Sequence, residues 1–516
     1  MNTTLLDRLD RTAEAIEAFG ERHKVILLGV FSLAYFSTTG FLAVRKPMWN
    51  DELFTWYISQ LPTLPDIWSA LLTGGEQIPP FYHLITRISL SLFGPSEFAV
   101  RLPQVFGFWV MTLCLFRFVN LRAGALYGFV AMLFPVVTKA YEYAYEARPY
   151  AMVLGFAGLS LLCWQSATAG RYRILSLIGL AASVAAAVSN HYYAVLILFP
   201  LAVGEVTRSI SVRRTDPAIW VMLGAGLIPL LLFLPLIQES LKQASIFWAR
   251  PYWRSIFDLY YTLLSPTLNS LLVVLVLSAL YSTAQPIAAS SRDKPNSSPP
   301  FYEIAAAMGF IAIPVVVFLL AVFFTGAIYH RYVLSSIIGF SVLVAFAPRT
   351  LAYGRAVACV ALVISLCGDF VIAQIQNFRT INGAASSAAR TYGLLQSDSE
   401  KQLPIVASDL NTFTTLSHYA PPEIAARLVY LADPEASLRR LNHSSVDQGI
   451  LDLKPWFRLR VQEYRPYIAS QSRFLVYGKT DPNWVWLLAE LMADNYRIEM
   501  RGRNKFDFLF LVSARD

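Results

Sequence analysis

Two carboxylates, Asp51 and Glu52, stand side by side in segment 46–57, KPMWNDELFTWY, just beyond the first long apolar stretch of the chain. Arg45 and Lys46 precede them, and Trp49, Phe54, Trp56 and Tyr57 surround them. A charged pair at a membrane edge is costly unless it is solvated or used, so this loop is the first candidate for chemistry. A second charged group lies in segment 141–150, YEYAYEARPY, where Glu142 and Glu146 are four residues apart and Arg148 follows. That spacing predicts one shared helix face, and Pro149 suits the first turn of a following helix. Two further clusters, Asn190-His191-Tyr192-Tyr193 and Tyr329-His330-Arg331-Tyr332, fall at the ends of apolar stretches. A guanidinium such as Arg331 at a membrane interface suits a phosphate or diphosphate headgroup. Each cluster also has a plainer alternative. Residues 142–148 could form a helix-end ion pair, His83 and His191 could be hydrogen-bonded interfacial histidines, and the tyrosines could belong to an aromatic belt.

Composition says what must position these residues. Hydrophobic residues make up 56% of the 516 and charged residues only 15%, where a soluble chain carries about 25%. Mean hydropathy is +0.48. The expected fold is a polytopic α-helical membrane protein. The net charge of +8 then reflects Lys and Arg in cytoplasmic loops and sites for anionic lipid or phosphate, with no nucleic acid partner. About eleven spans are expected, near 24–44, 98–118, 123–141, 150–168, 174–189, 192–206, 218–237, 266–285, 301–325, 332–346 and 355–372, each close to the length that crosses a bilayer. Segments 65–72 and 81–93 read as interfacial helices in the first outer loop, the second because it is short and holds His83 and Arg87. Segment 1–21 has apolar residues at helical spacing and suits an amphipathic helix on the inner surface, the alternative being a disordered tail. The first apolar stretch is expected to stay as a helix rather than be cleaved.

Charge tests this topology. With the amino terminus inside, alternate loops collect Arg117 with Arg122, Arg171 with Arg173, Arg208 with Arg213 and Arg214, Arg292 with Lys294, and Arg349 with Arg355. That is the cationic bias of cytoplasmic loops. The opposite side receives Asp51-Glu52, Glu142 to Arg148, Asn190-His191, the Trp248–Trp253 loop and His330-Arg331. Segment 290–300 is Pro/Ser-rich and reads as a flexible inner loop. Cys114, Cys163, Cys359 and Cys367 lie in apolar runs, as reduced thiols. From about residue 376 strand-like runs at 403–409, 427–431, 473–478 and 506–512 alternate with helical segments. This predicts a transmembrane domain, 1–375, and an extracytoplasmic α/β domain, 376–516. No Gly-rich nucleotide loop occurs in the latter, and Asp409, His418 and His443 are expected to be structural.

Taken in order, the first helix, Asp51-Glu52, Ile78-Pro-Pro-Phe-Tyr-His83, segment 93–103 (FGPSEFAVRLP), Glu146-Ala-Arg-Pro-Tyr150, Asn190-His-Tyr-Tyr193 and His330-Arg-Tyr332 resemble the GT-C glycosyltransferases. The likeness is to the protein O-mannosyltransferase and aminoarabinose–lipid A transferase branch, over roughly the first two-thirds of the chain. It departs where many relatives carry an acidic residue and a His before the Pro-Pro pair; here Glu76-Gln77-Ile78 stand. The resemblance implies an inverting glycosyltransferase in the plasma (inner) membrane. It would move a sugar from a polyprenyl-phosphate donor to a hydroxyl of a lipid, glycan or protein acceptor on the outer face. It implies Asp51 as general base and Glu52 as a second carboxylate near an oxocarbenium-like transition state. Arg148 and Arg331, with Tyr332, would hold the leaving lipid phosphate, and Lys46, His83, Glu146, His191, Tyr192 and His330 would contact substrate. No nucleotide is required, and metal dependence stays open: Asp51, Glu52, Glu142 and Glu146 could gather around a divalent cation, Mg²⁺ or Mn²⁺, the weaker alternative to arginine alone holding the phosphate. The competing class is a transporter or flippase of lipid-linked sugar. Transporters place their polar residues near mid-membrane in broken helices, whereas the clusters here sit at outer helix ends.

Overall fold

Apolar segments in a bilayer must close their backbone hydrogen bonds internally, which leaves helices as the available form. The computed structural model describes residues 3–284, 299–351, 353–397, 400, 402–504 and 507–514. Among the described residues six helices are long and apolar enough to cross a membrane: Lys24–Arg45, Glu97–Ala123, Tyr150–Thr168, Arg173–Asn190, Tyr192–Ser211 and Arg355–Gln396. Three further spans are bent pairs, Pro217–Leu232 with Leu234–Lys242 (67°), Ser255–Leu264 with Leu268–Tyr281 (77°) and Phe301–Ile311 with Ile313–Thr325 (44°). Pro235, Pro266 and Pro314 stand at or beside these breaks, where a missing N–H and a ring clash interrupt the helix. Two shorter apolar helices, Ala125–Val137 and Ser336–Thr350, complete the set. The eleven expected spans overlap these segments, nine of which are long and apolar enough to cross when each bent pair counts as one span.

The helix α1 (Thr3–Arg45) joins the expected amphipathic segment and the first span, with a break at His23. Then come α2 (Asn50–Ser59), α3 (Leu64–Leu71) and α4 (Pro80–Phe93), before α5 (Glu97–Ala123) crosses back. Thr63 and Asp66 cap α3 reciprocally. At 14 residues α4 is shorter than the roughly 20 a span needs, in keeping with a surface helix. The helix α5 lies against Tyr150–Thr168 at a glycine contact: a Cβ on Gly155 would stand 2.4 Å from the Gly107 carbonyl oxygen. Small residues let membrane helices approach this closely, and these two helices carry Arg101 and follow Arg148.

The cationic loops meet at one end of the bundle. Arg122 pairs with Glu303 at 2.6 Å, Arg208 with Glu205 at 2.6 Å and Arg173 with Asp216 at 2.8 Å, while Arg349 donates to the Arg122 carbonyl at 2.7 Å. Most of the 290–300 segment, with Arg292 and Lys294, lies outside the described residues. All four cysteines are free thiols.

The exit helix Arg355–Ser397 spans about 65 Å at 1.5 Å per residue and runs unbroken past residue 376 into the C-terminal domain. There six strands form one sheet, β1 (Ile405–Ala407), β2 (Leu428–Ala432), β3 (Val461–Glu463), β4 (Arg473–Gly478), β5 (Arg497–Asn504) and β6 (Asp507–Ser513), in the order β3-β2-β1-β4-β6-β5. The first four are parallel, and β6 is antiparallel to both β4 and β5. The domain docks on α2. The Asn50 N–H donates to Asn411 Oδ1 at 3.0 Å and the Met48 N–H to the Tyr419 hydroxyl at 2.9 Å, both on helix Leu410–Tyr419. A Gly155→Leu substitution is expected to cost about 1–3 kcal/mol through overpacking. A thermal melt in detergent reads it; an unchanged midpoint would mean that the two helices can separate freely.

Candidate active site

The turn that opens α2 places its two carboxylates differently. Both sit in the first helical turn, where the helix dipole favours negative charge. Consecutive helical residues point about 100° apart, so they face different surroundings. Glu52 turns inward and is fully buried. Its Oε1 accepts from Arg101 Nε at 2.7 Å and from the Ala147 N–H at 2.7 Å, and its Oε2 accepts from Arg101 Nη2 at 2.8 Å. Arg101, also fully buried, donates in addition to the Ala43 and Lys46 carbonyls at 2.8 and 2.6 Å. Burial opposes ionisation of Glu52, but Arg101 and Lys46 outweigh it and hold the pKa below the ordinary carboxylate value. The expectation that Glu52 acts beside Asp51 is therefore corrected: its oxygens are occupied, and it pins α2 to α5 and to the loop before Arg148.

Asp51 faces a cavity. Its Oδ2 lies 2.6 Å from Arg331 Nη1 and 4.0 Å from Arg148 Nε, and its backbone carbonyl accepts from Arg148 Nη1 at 3.0 Å. Burial opposes its ionisation, but Arg148 and Arg331 prevail and the pKa falls below the ordinary 3.8. Arg148 is held from behind by Glu76, at 2.9 and 3.3 Å. Arg331 sits among the rings of Tyr150, Tyr329 and Tyr332, 5.9, 5.1 and 5.9 Å from their centroids. The Nε atoms of Arg148 and Arg331 are buried with no hydrogen-bond partner among the described residues. The cavity encloses about 360 Å³. Asp51, Glu76, Arg148, His191, Tyr192, Arg331 and Tyr332 line one side, and Val195, Leu196, Ile237, Leu241, Trp248 and Leu320 supply an apolar wall. Leu410, Ser445, Val446 and Gly449 of the C-terminal domain close it.

Of the eleven expected site residues, six line this cavity: Asp51, Arg148, His191, Tyr192, Arg331 and Tyr332. The other five do not. Lys46 pairs with Glu146 at 3.4 Å. Burial, aided by Glu52 and Asp51 against Lys46, raises the pKa of the Glu146 carboxyl. His83 is wholly buried with Nδ1 3.4 Å from Ser59 Oγ; burial and Arg148 lower its pKa to about 3. His330 Nε2 lies 2.9 Å from the Tyr143 hydroxyl, and burial, Lys139 and Arg331 lower its pKa to about 4. His191, inside the cavity, accepts the Tyr193 N–H on Nδ1 at 3.1 Å and is lowered to about 3 by burial, Arg148 and Arg331. These three histidines are neutral near pH 7.

The shared helix face of Glu142 and Glu146 is not formed. Residues Lys139–Tyr145 make a 3₁₀ turn and Glu146 is extended, so Glu142 pairs with Lys139 at 2.7 Å while Glu146 turns inward. The cation cluster of Asp51, Glu52, Glu142 and Glu146 is corrected with it, since those carboxylates do not converge. Among the described residues no three His, Cys, Asp or Glu side chains gather as metal ligands. Two residues of the site went unassigned in the sequence. Arg101 could have been found as a charge inside an otherwise apolar stretch, 98–116, which is a functional signal in itself. Glu76, at the departure from the family pattern, gave no signal without its partner.

A family described as dolichyl-phosphate-mannose-protein mannosyltransferase matches residues 77–238. That stretch includes Arg148 and His191 but neither Asp51 nor Arg331. No curated protein sequence matches the chain. Among solved structures, ArnT from Cupriavidus metallidurans bound to undecaprenyl phosphate aligns at a TM-score of 0.55 with 13% identity, over 94% of this chain and 97% of that one. The chain has a GT-C fold. The apo form of ArnT aligns at a TM-score of 0.48 with 14% identity over 95% and 98% of the two chains. An Archaeoglobus fulgidus oligosaccharyltransferase aligns at 0.43 with 10% identity over 95% and 74%.

Two outcomes follow from this geometry. Glu52→Gln leaves Arg101 with an uncompensated buried charge and is expected to cost about 3–5 kcal/mol, read by thermal unfolding; a variant as stable as the parent would remove the pinning role. The depressed Asp51 pKa keeps the carboxylate ionised, and its contribution to stability is present above 3.8 and lost as pH falls through the lower folded value. With the histidines uncharged, the catalytic pH profile is expected to be flat from roughly pH 5 to 8. An acid limb centred near the ordinary histidine value of 6.5 would instead give a histidine a proton-carrying role.

Proposed function

We propose that the chain is an integral membrane glycosyltransferase that moves a sugar from a polyprenyl-phosphate donor to an acceptor hydroxyl, with inversion at the anomeric carbon. The observation that carries this reading is the 2.6 Å pair between Asp51 and Arg331, with Arg148 alongside, in one partly apolar cavity. A proton acceptor and two anion holders thus share one space. The Nε atoms of both arginines, without a hydrogen-bond partner among the described residues, supply donors for a phosphate, and the apolar wall suits the first isoprene units of the lipid. ArnT, of the same fold, holds undecaprenyl phosphate, which supports that donor class for this chain.

In this mechanism the donor phosphate draws Arg331 and Arg148 towards itself and loosens their hold on Asp51, whose basicity then rises. Asp51 accepts the proton of the acceptor hydroxyl. The acceptor oxygen attacks the anomeric carbon from the side opposite the phosphate, and the bond from that carbon to the phosphate oxygen breaks. Its electron pair leaves on the lipid phosphate, where the two guanidinium groups take the charge. Glu76 keeps Arg148 in place. The cationic loops at the far end of the bundle support a cytoplasmic position for that end, hence a site and C-terminal domain on the outer face of the inner membrane. Lipid, glycan and protein acceptors all suit this chemistry.

The test is turnover of a polyprenyl-phosphate sugar by purified protein in nanodiscs. Asp51→Asn is expected to lower turnover by about 10²–10⁴-fold, and Arg331→Met to weaken binding of polyprenyl phosphate. Full activity in Asp51→Asn would remove the base assignment. Movement of lipid-linked sugar across liposomes without any acceptor would favour a flippase instead.

A further inference from the structure

Two kinds of donor hold the Asp51 carboxylate, one charged and one neutral. Arg331 and Arg148 carry charges that a phosphate would also seek. The neutral donor is the side-chain amide of Asn50, the residue before Asp51. Asn50 is the first residue of α2 and lines the same cavity. The N-cap of α2 is Trp49, so the Asn50 amide is not the capping group.

An amide side chain has an oxygen that accepts and a nitrogen that donates. At Asn50 the partners on both sides agree on one orientation. Helix Leu410–Tyr419 of the C-terminal domain grips this residue at two atoms. The Asn50 N–H donates to Asn411 Oδ1 at 3.0 Å, and the Thr414 hydroxyl stands 3.3 Å from Asn50 Oδ1. That hydroxyl is also 3.0 and 3.3 Å from the Leu410 and Asn411 carbonyls, so its proton is shared among the three. Asn411 and Thr414 are three residues apart, on one helix face, and Thr414 is fully buried. With Oδ1 turned to a donor, Nδ2 is left for Asp51, and a carboxylate is the partner it requires.

Burial raises the Asp51 pKa, while Arg148, Arg331 and then the Asn50 amide lower it. The amide acts less strongly than the arginines, but it is anchored differently. A guanidinium on a long chain can swing towards a phosphate. An amide tied at its N–H and its oxygen to another domain stays where it is. Asn50 therefore keeps the carboxylate aimed when the arginines turn to the donor, and alignment of a reacting group contributes a large factor in rate. We infer that Asn50 is a positioning residue through which the docked C-terminal domain aims Asp51 in its cavity, an assignment that rests on the reading of Asp51 as the base.

The test uses the full chain in phosphatidylethanolamine nanodiscs. A water-soluble carbodiimide with a small amine couples to protonated carboxyls, and peptide mapping reads the label on Asp51 against pH. Glu76, on the same cavity, is the internal reference. Loss of a hydrogen bond to the charged form raises a carboxyl pKa, so Asn50→Ala and Thr414→Val are each expected to raise Asp51 label at about pH 5 by roughly three- to tenfold. Thr414→Val keeps the shape of the buried side chain; Thr414→Ser keeps the hydroxyl and is expected to match the parent. Label on Glu76 and the thermal midpoint are expected to stay unchanged. A parental Asp51 profile in both Asn50→Ala and Thr414→Val would overturn the inference. So would label that rises on Asp51 and Glu76 together with a lower midpoint, which reports loosening of the fold. Turnover of Asp51→Asn is read separately. Full activity there removes the base, and with it the catalytic meaning of the contact, while the label still decides the contact itself.

Discussion

Charge removed from water must be matched, and the first turn of α2 meets this constraint in two directions at once. Glu52 is neutralised by Arg101 within the protein, and Asp51 is neutralised by Arg331 and Arg148 at the cavity wall. Breaking a buried pair leaves a bare charge and is strongly unfavourable. The inward pair therefore fixes where α2 begins, and with it where Asp51 can stand. Glu52 also accepts the Ala147 N–H, the residue before Arg148, so one buried carboxylate sets the distance between the proposed base and one of its anion holders. The residue that does the positioning and the residue that faces the cavity are neighbours in the chain.

The Asp51 cavity is in turn completed by the C-terminal domain. Gly75 lies so close to helix Ser445–Leu453 that a Cβ there would stand 2.7 Å from the Gly449 carbonyl oxygen. Glu76, next to Gly75, holds Arg148. The C-terminal sheet domain thus has a clear physical place, as a wall of the cavity and a clamp on α2. Movement of that domain would change access to Asp51 and the seating of Arg148 together.

Asp51 satisfies the two arginines, and they in turn keep it a weak base. A phosphate would compete for the same guanidinium groups, so under the proposed reading its arrival and the basicity of Asp51 are linked through shared partners. The neutral histidines take no part in that balance. Their lowered pKa values, set first by burial and then by the nearby cations, keep further positive charge away from the arginines.

Much of the fold was legible in the chain itself. Long apolar stretches dictate helices because a bilayer offers no other partner for backbone polar groups, and the apolar helices of the bundle follow from that rule. Strands β1, β2, β4 and β6 were legible as apolar runs; β3 is three residues long and β5 is mostly exposed, so neither carries a clear pattern. The charged clusters at helix ends marked which loops mattered, and six of the eleven expected residues line the cavity. What the sequence could not decide was the direction each side chain takes. Whether Glu52 or Asp51 faces outward depends on Arg101, forty-nine residues away, and whether Glu142 joins Glu146 depends on a 3₁₀ turn in place of an α-helix. The partnership of Glu76 with Arg148 spans seventy-two positions. Residue types and hydrophobic period determine which segments cross the membrane and which ends carry charge. Only packing brings distant opposite charges within reach, and so only the tertiary structure decides which carboxylate is locked in the interior and which faces the cavity.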